Sequence, residues 1–129
     1  MRKVSKQTIR NKADRLLQEY IRLEHGQELC EHCGERLVVV GHHFIYKSQS
    51  LGLRFALENI IPLCTDCHLY AHRWQNLFAA KITAKRGEEW LKNLEEVRRE
   101  RMGIKFTKEW AEAHLDELAT LLQTLKGLS

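Results

Sequence analysis

Cys30-Glu31-His32-Cys33 and, after 30 intervening residues that begin with Gly34, Cys64-Thr65-Asp66-Cys67-His68-Leu69-Tyr70-Ala71-His72 are the stretches on which the fold turns. Two Cys-x-x-Cys pairs have the spacing of a zinc site, and a reducing compartment disfavours the alternative of structural disulfides. Four thiolates suit tetrahedral Zn²⁺ because soft sulfur matches a borderline-soft ion, and a closed set of four leaves no position for a substrate. Cys30, Cys33, Cys64 and Cys67 are therefore expected to hold a structural zinc, contributing roughly 10–16 kcal/mol of apparent folding free energy at neutral pH. The interval exceeds what a simple zinc ribbon needs. A folded insert belongs between the knuckles, and function is sought there. His32, between two ligands, reads as an exposed polar side chain.

Working outward, Arg36 to Val40 is rich in β-branched residues and ends at Gly41, and Asn59 to Leu63 carries Ile60 and Ile61 before Pro62, so both predict short strands. Lys47 to Glu58 between them is loop-like. From Thr65 a helix is expected through about Lys81, with His68, His72 and Gln75 on a polar stripe and Leu69, Leu77 and Phe78 packing inward. Upstream, Ser5 to Glu28 has no Pro and spaces Ile9, Leu16, Leu17, Tyr20, Ile21 and Leu23 as an amphipathic helix with Ser5 as N-cap. Downstream, Trp90, Leu91, Leu94 and Val97 define a helix ending near Gly103 in a left-handed cap. A last helix follows Thr107 as N-cap, with Trp110, His114, Leu118, Leu121, Leu122 and Leu125 on its apolar stripe. Trp90 and Trp110 are assigned to packing; the C-terminal helices either cover the core or pair two subunits as a homodimer.

The remaining histidines form a second constellation. His42 and His43 are adjacent in extended chain and so point to opposite sides, which gives them different tasks: one can ligate while the other titrates. His68 and His72 are four apart and share a helix face, a spacing that suits a metal site.

His42-His43, then Asn59, then Cys64-x-x-Cys67-His68-x-x-x-His72 resembles the HNH, or ββα-metal, nuclease motif, over about residues 30 to 72. Zinc-knuckle HNH nucleases of phages and the nuclease colicins share such a pattern. From Gly41-His42-His43-Phe44-Ile45 through Lys108-Glu109-Trp110 the chain is similar to phage recombination nucleases of the NinG or Rap type. The resemblance implies an α+β fold: a small ββα-metal core with a treble-clef-like Cys₄ zinc site, flanked by an N-terminal helix and two C-terminal helices. It implies that His43 is the general base, that His42, His68 and His72 hold a catalytic divalent ion, and that Asn59 braces the loop orienting the base. It further implies hydrolysis of DNA phosphodiesters to 5′-phosphate and 3′-hydroxyl ends, with branched recombination intermediates as substrate. Many members carry an acid where this chain has His42. An all-imidazole set favours Zn²⁺, Mn²⁺, Ni²⁺ or Co²⁺ over Mg²⁺.

The 129 residues, 43% of them hydrophobic, are expected to form a single domain: a basic helix over 1–28, the ββα-metal core over 29–82 and a helical extension over 87–129. No run is long enough to span a membrane and Met1-Arg2-Lys3-Val4-Ser5 lacks a signal-like apolar stretch, so a cytoplasmic location, that of a host cell for a phage protein, is expected. The net charge of +4 is unevenly placed: residues 1–86 carry fourteen Lys or Arg against eight acids, residues 87–129 seven against nine. That excess suits a polyanion, DNA foremost with RNA open. Arg2, Lys3, Lys6 and Arg10 in the first helix, and Lys47, Arg54 and Arg73 near the histidines, are the candidate phosphate contacts, with Tyr46 beside them; solvated surface charges are the plainer alternative. Two other classes compete: a non-catalytic zinc-finger DNA-binding module, and a Cys₄ protein-interaction scaffold presenting its acidic C-terminal helices.

Overall fold

The computed structural model describes residues 4–128, so the candidate contacts Arg2 and Lys3 lie outside the described residues. The architecture is α+β, with five α-helices and one two-stranded antiparallel sheet among the described residues. Helix α1 (Lys6–His25) begins where Ser5 Oγ accepts the Thr8 N–H at 3.1 Å, satisfying a donor that has no partner inside the helix. Its buried residues Ile9, Ala13, Leu17 and Ile21 recur every four positions, while Leu23 stays 46% exposed. Strand β1 (Val40–His43) pairs with β2 (Ile60–Leu63) in the register Val40 to Leu63 and His43 to Ile60.

The first strand thus starts where the β-branched run was expected to end. Residues 28–39 are occupied instead by the knuckle, where the Cys30 N–H donates to Arg36 O at 2.7 Å, the Val38 N–H donates to Glu28 O at 3.1 Å, and Leu29 bridges Leu37. Closing that loop around its two cysteines consumes the hydrogen bonds a longer strand would have used. Leu37 and Val39 remain exposed.

The long helix expected over 65–81 is two helices, α2 (Thr65–Arg73) and α3 (Gln75–Arg86), broken at Trp74 (φ −120°, ψ 60°) with no Gly or Pro to signal it. Of the three residues expected to pack inward only Phe78 does; Leu69 and Leu77 are 64% and 60% exposed, and Ala71 and Ile82 complete the buried stripe. Gly87 (φ +96°) then turns the chain into α4 (Glu88–Glu100). The left-handed glycine is there and not at Gly103, because α4 already ends at Arg101, whose N–H bonds back to Val97 and Arg98 carbonyls. Thr107 Oγ1 caps α5 (Lys108–Gly127) at 3.0 Å, as expected.

Helix α5 lies along α1, and Leu118 joins Leu17, Ile21, Phe55 and Ile60 in one buried cluster between those helices and the sheet. The C-terminal apolar stripe is therefore used within the chain. A second cluster joins the cysteines to Ile61, Leu63, Phe78 and Ile82, and a third sets Leu94 of α4 against Ile45, Leu53 and Ala56. Trp90 packs against the second and third clusters and donates its indole N–H to Glu58 O at 3.0 Å; Trp110 packs between Phe55 and His114. No helix among the described residues is long and apolar enough to cross a membrane.

Candidate metal centres and catalytic cleft

The sulfurs of Cys30, Cys33, Cys64 and Cys67 all lie within 4.8 Å of one another, Cys33 and Cys64 at 3.9 Å. A zinc–sulfur bond of about 2.3 Å gives a tetrahedral edge of about 3.8 Å, so the four positions fit the ion. Cys64 also caps α2, its sulfur accepting the Cys67 N–H at 3.4 Å, which ties the second knuckle to the start of the histidine-bearing helix. Backbone N–H groups of Glu35 and Arg36 pull the Cys33 thiol down to about 6, whereas burial pushes Cys64 and Cys67 up. Four sulfurs this close, three of them on buried residues, cannot all ionise unless a cation offsets them.

His32 is not the exposed side chain expected. Its Nδ1 lies 3.3 Å from Cys67 Sγ, placed to donate to it, and its ring packs against Tyr70 and Phe78 at 5.0 and 5.4 Å between centroids. Burial, with Lys81 and Lys85 nearby, lowers its pKa, so a neutral ring is what faces the sulfur. An N–H aimed at a thiolate orients the ligand and tempers its charge. A histidine inside a Cys-x-x-Cys pair was the only available signal.

The second site lies at the end of β1. His42 is 3% exposed and turns towards α2, where its ring meets His68 and His72 at 5.3 and 5.1 Å; one nitrogen of each of the three lies within 4.8 Å of the others. His68 Nε2 and His72 Nε2 are 3.1 Å apart. That separation falls between the edges of an octahedron (about 2.9 Å) and a tetrahedron (about 3.3 Å) of metal–imidazole bonds near 2.05 Å, so the trio fits a divalent cation without selecting its coordination number. Burial, then the neighbouring imidazoles, pulls His42 down to about 3 and lowers His68 likewise. Both shifts favour the neutral imidazole at His42 and His68, the state that ligates metal.

His43 turns the other way. Its Nε2 is 2.8 Å from Arg54 O, and because a carbonyl only accepts, that nitrogen carries the proton and leaves Nδ1 with a free lone pair. Burial is the largest cause of its lowered pKa of about 4; Lys47 and Arg54 lower it further, while the Arg54 carbonyl and Asp14 oppose them. Both histidines, His68 and His72 line one cleft of about 670 Å³, together with Arg10, Tyr46, Lys47 and Arg54. The Tyr46 hydroxyl is buried without a hydrogen-bond partner, and its ring stands edge-on to His42 at 5.7 Å.

Asn59 is fully buried at the end of a 3₁₀ turn (Leu57–Asn59). Its Oδ1 accepts the Ile45 N–H at 2.8 Å, and its Nδ2 donates to Ile45 O at 2.9 Å and Leu53 O at 3.2 Å. It thereby joins the chain leaving β1 to the loop residue preceding Arg54, whose carbonyl holds His43. Two further supports come from α1. The Gln18 amide bonds both ways with Gly41, each at 2.8 Å, acting as a short extra strand on β1. Asp14 receives the Arg54 guanidinium at 2.9 and 2.6 Å. Arg54 thus lines the cleft with its cation already paired. Of the other candidate contacts, Lys6 and Arg10 pack over Phe106, and Arg73 lies over Trp74 in a separate groove.

Residues 30–77 match the family model for HNH endonuclease. This HNH segment takes in both cysteine pairs, β1, Asn59, β2 and α2, with the start of α3, and it points to nuclease chemistry in general with DNA as substrate. No curated protein and no solved structure shows a significant match to the chain.

Proposed function

We propose that the chain is a metal-dependent endonuclease that hydrolyses DNA phosphodiesters, with Cys30, Cys33, Cys64 and Cys67 holding a structural zinc. The observation that carries the reading is that His43 lines the same open cleft as His42, His68 and His72, whose nitrogens lie close enough together to hold one ion. Each part has a chemical task there. With its proton held on Nε2 by the Arg54 carbonyl, His43 accepts a proton from the attacking water at Nδ1, and the Asp14 carboxylate nearby offsets the charge that forms. Asn59 fixes the loop that carries the Arg54 carbonyl and so sets the ring's orientation. His42, His68 and His72 would hold the divalent cation, which would supply Lewis-acid stabilisation of charge on the phosphate and leaving oxygens, worth several kcal/mol. Three imidazoles leave coordination open and favour Zn²⁺, Mn²⁺, Ni²⁺ or Co²⁺ over Mg²⁺. The unpartnered Tyr46 hydroxyl and the Lys47 ammonium meet phosphate oxygens from the cleft wall. Attack by water in line with the 3′-oxygen leaves 5′-phosphate and 3′-hydroxyl ends, and a branched recombination intermediate is the preferred form of DNA. The three segments act as a single domain, since α5 braces the helix that braces the site.

The test uses zinc-loaded wild type and His43→Ala with supercoiled plasmid and a synthetic four-way junction, each of Mg²⁺, Mn²⁺, Ni²⁺, Co²⁺ and Zn²⁺ being added in turn. Metal-dependent cutting by wild type, lost in His43→Ala while DNA binding persists, is expected, with the junction cut in preference. Binding without cutting under every metal overturns the nuclease reading in favour of a zinc-dependent DNA-binding module. Equal cutting of plasmid and junction removes the branched-substrate part alone.

A further inference from the structure

Arg10 stands apart from the other cations around the cleft. It lines the cavity that holds His42, His43, His68 and His72, yet it has no carboxylate partner among the described residues, and its Nε is shielded from water with no hydrogen bond. The acid one helical turn away, Asp14, is taken by both nitrogens of the Arg54 fork. What holds Arg10 is an aromatic face: its guanidinium lies 4.4 Å from the centre of the Phe106 ring. Lys6 Nζ lies 4.9 Å from the same centre and donates to the Phe106 carbonyl at 3.2 Å. Phe106 itself belongs to the segment joining α4 to α5 and meets Trp110 edge-on at 5.9 Å.

Two cations against one ring, with no carboxylate paired to either among the described residues, repel each other. The ring quadrupole attracts both but carries no net charge to cancel theirs. A buried donor without a partner also costs free energy unless a ligand completes it. A phosphodiester does both: it supplies the missing charge, and it accepts from the planar guanidinium in a geometry Arg is built to meet. The ring face fixes the guanidinium plane beforehand, so less side-chain freedom is lost on binding.

We propose that Arg10, seated on Phe106 with Lys6 beside it, is a preformed clamp for a backbone phosphate of the DNA strand entering the histidine cleft. Phe106 is then a positioning residue through which the C-terminal extension takes part in substrate binding. The clamp rests on the reading of the cleft as a DNA site, and it does not require that the DNA be cut.

Binding of a short fluorescein-labelled DNA duplex by the zinc-loaded protein, with no second metal added, is followed by anisotropy over a salt series. The proteins are wild type, Arg10→Ala, Phe106→Leu and Phe106→Tyr. Loss of one phosphate contact in Arg10→Ala reduces the slope of log K against log salt by about 0.9 and weakens binding on the order of tenfold at moderate salt. Phe106→Leu keeps an apolar side chain but removes the ring face, and it weakens binding about two- to fivefold; Phe106→Tyr restores wild-type affinity. Melting temperatures of the zinc-loaded variants separate a lost contact from a lost fold. An unchanged slope in folded Arg10→Ala overturns the clamp, and so does equal weakening by the Leu and Tyr variants. The same proteins are assayed for metal-dependent cutting of plasmid. Wild type that binds without cutting, with the slope still reduced in Arg10→Ala, sinks the nuclease reading and leaves the clamp standing; wild type that cuts, with an unchanged slope in Arg10→Ala, does the reverse.

Discussion

Replacing Asn59 with Ala removes a buried side chain that ties the chain leaving β1 to the loop beneath His43. Asn59 is 0% exposed and makes three hydrogen bonds, all to backbone: from Ile45 N at 2.8 Å, and to Ile45 O at 2.9 Å and Leu53 O at 3.2 Å. Each such bond contributes about 1 kcal/mol net, but truncation also leaves a buried N–H and two buried carbonyls without their partner, at roughly 1–3 kcal/mol each before relaxation. Partial relaxation and water entry recover some of this, so about 3–5 kcal/mol is expected, or a fall in Tm of roughly 10–18 °C for a chain of this length. Asn59→Asp keeps the volume and can still accept from Ile45 N, but as a carboxylate it faces two carbonyl oxygens. Its folded-state pKa is then raised above the unfolded value, so its deficit relative to wild type grows as pH rises and narrows as pH falls. Thermal unfolding of the zinc-loaded proteins measures both effects. On the proposed role of His43 as the base, cutting by metal-saturated Asn59→Ala, assayed below its Tm, is expected to fall about a hundredfold, because a shift of the Arg54 carbonyl would turn the His43 ring away from the attacking water. A stability loss under about 1 kcal/mol would refute the hydrogen-bond argument. Full destabilisation with wild-type cutting would refute the link from Asn59 to His43.

Three other perturbations follow from the same contacts. Asp14→Ala strands the guanidinium of Arg54, a side chain 11% exposed, and is expected to cost about 1–3 kcal/mol in urea unfolding, with Asp14→Asn milder because its amide oxygen still accepts. Cys64→Ala removes both one of the four sulfurs that would hold zinc and the α2 cap; zinc content measured by mass spectrometry should fall to substoichiometric, and the chain should lose its cooperative thermal transition, as wild type should under a strong chelator. His114 sits between Phe55 and Trp110, and burial, opposed by Glu117 and aided by Arg101, lowers its pKa. The folded state therefore binds that proton less readily than the unfolded one: stability is full above the unfolded value of about 6.5 and declines as pH falls below it. His114→Phe should flatten that decline in a pH series of Tm values, and an unchanged slope would show that His114 does not contribute to it.

What could be read from the chain alone was whatever is written locally. Cys-x-x-Cys pairs and a His-x-x-x-His helix face bring their ligands together through spacing, so Cys30 to Cys67 and His68 with His72 were legible before any tertiary packing was known. The opposite turning of His42 and His43 follows from extended backbone. The supports were not legible, since Gln18 reaches Gly41 across 23 positions and Asp14 reaches Arg54 across 40, and neither pair has a pattern in the sequence. The break at Trp74 was hidden for a different reason: helix propensity runs through it without Gly or Pro, while the buried face is the one that carries Ala71, Phe78 and Ile82 against the cysteine cluster, leaving Leu69 and Leu77 exposed.

The basic first helix is also more than an electrostatic strip. Arg10, Asp14 and Gln18 recur at intervals of four and so lie along one stripe of α1, beside the buried stripe of Ile9, Ala13, Leu17 and Ile21. Gln18 grips the backbone of β1 next to the histidine pair, Asp14 holds the residue whose carbonyl accepts from His43 Nε2 and so keeps the ring's proton there, and Arg10 faces the cleft on its Phe106 seat. Gly41 shows how close that helix must come: a Cβ there would lie 2.6 Å from Ile60 Cγ2 and 3.0 Å from Ile21 Cγ1, so only the residue without a side chain lets α1 and β1 meet. A helix packed this tightly against the strand cannot slide without moving His42 and His43. Because α5 lies along α1, the C-terminal extension sets the position of the stripe from behind, and its Phe106 sets the far end directly. Residues outside the matched segment 30–77 therefore determine how its histidines are aimed and what they meet.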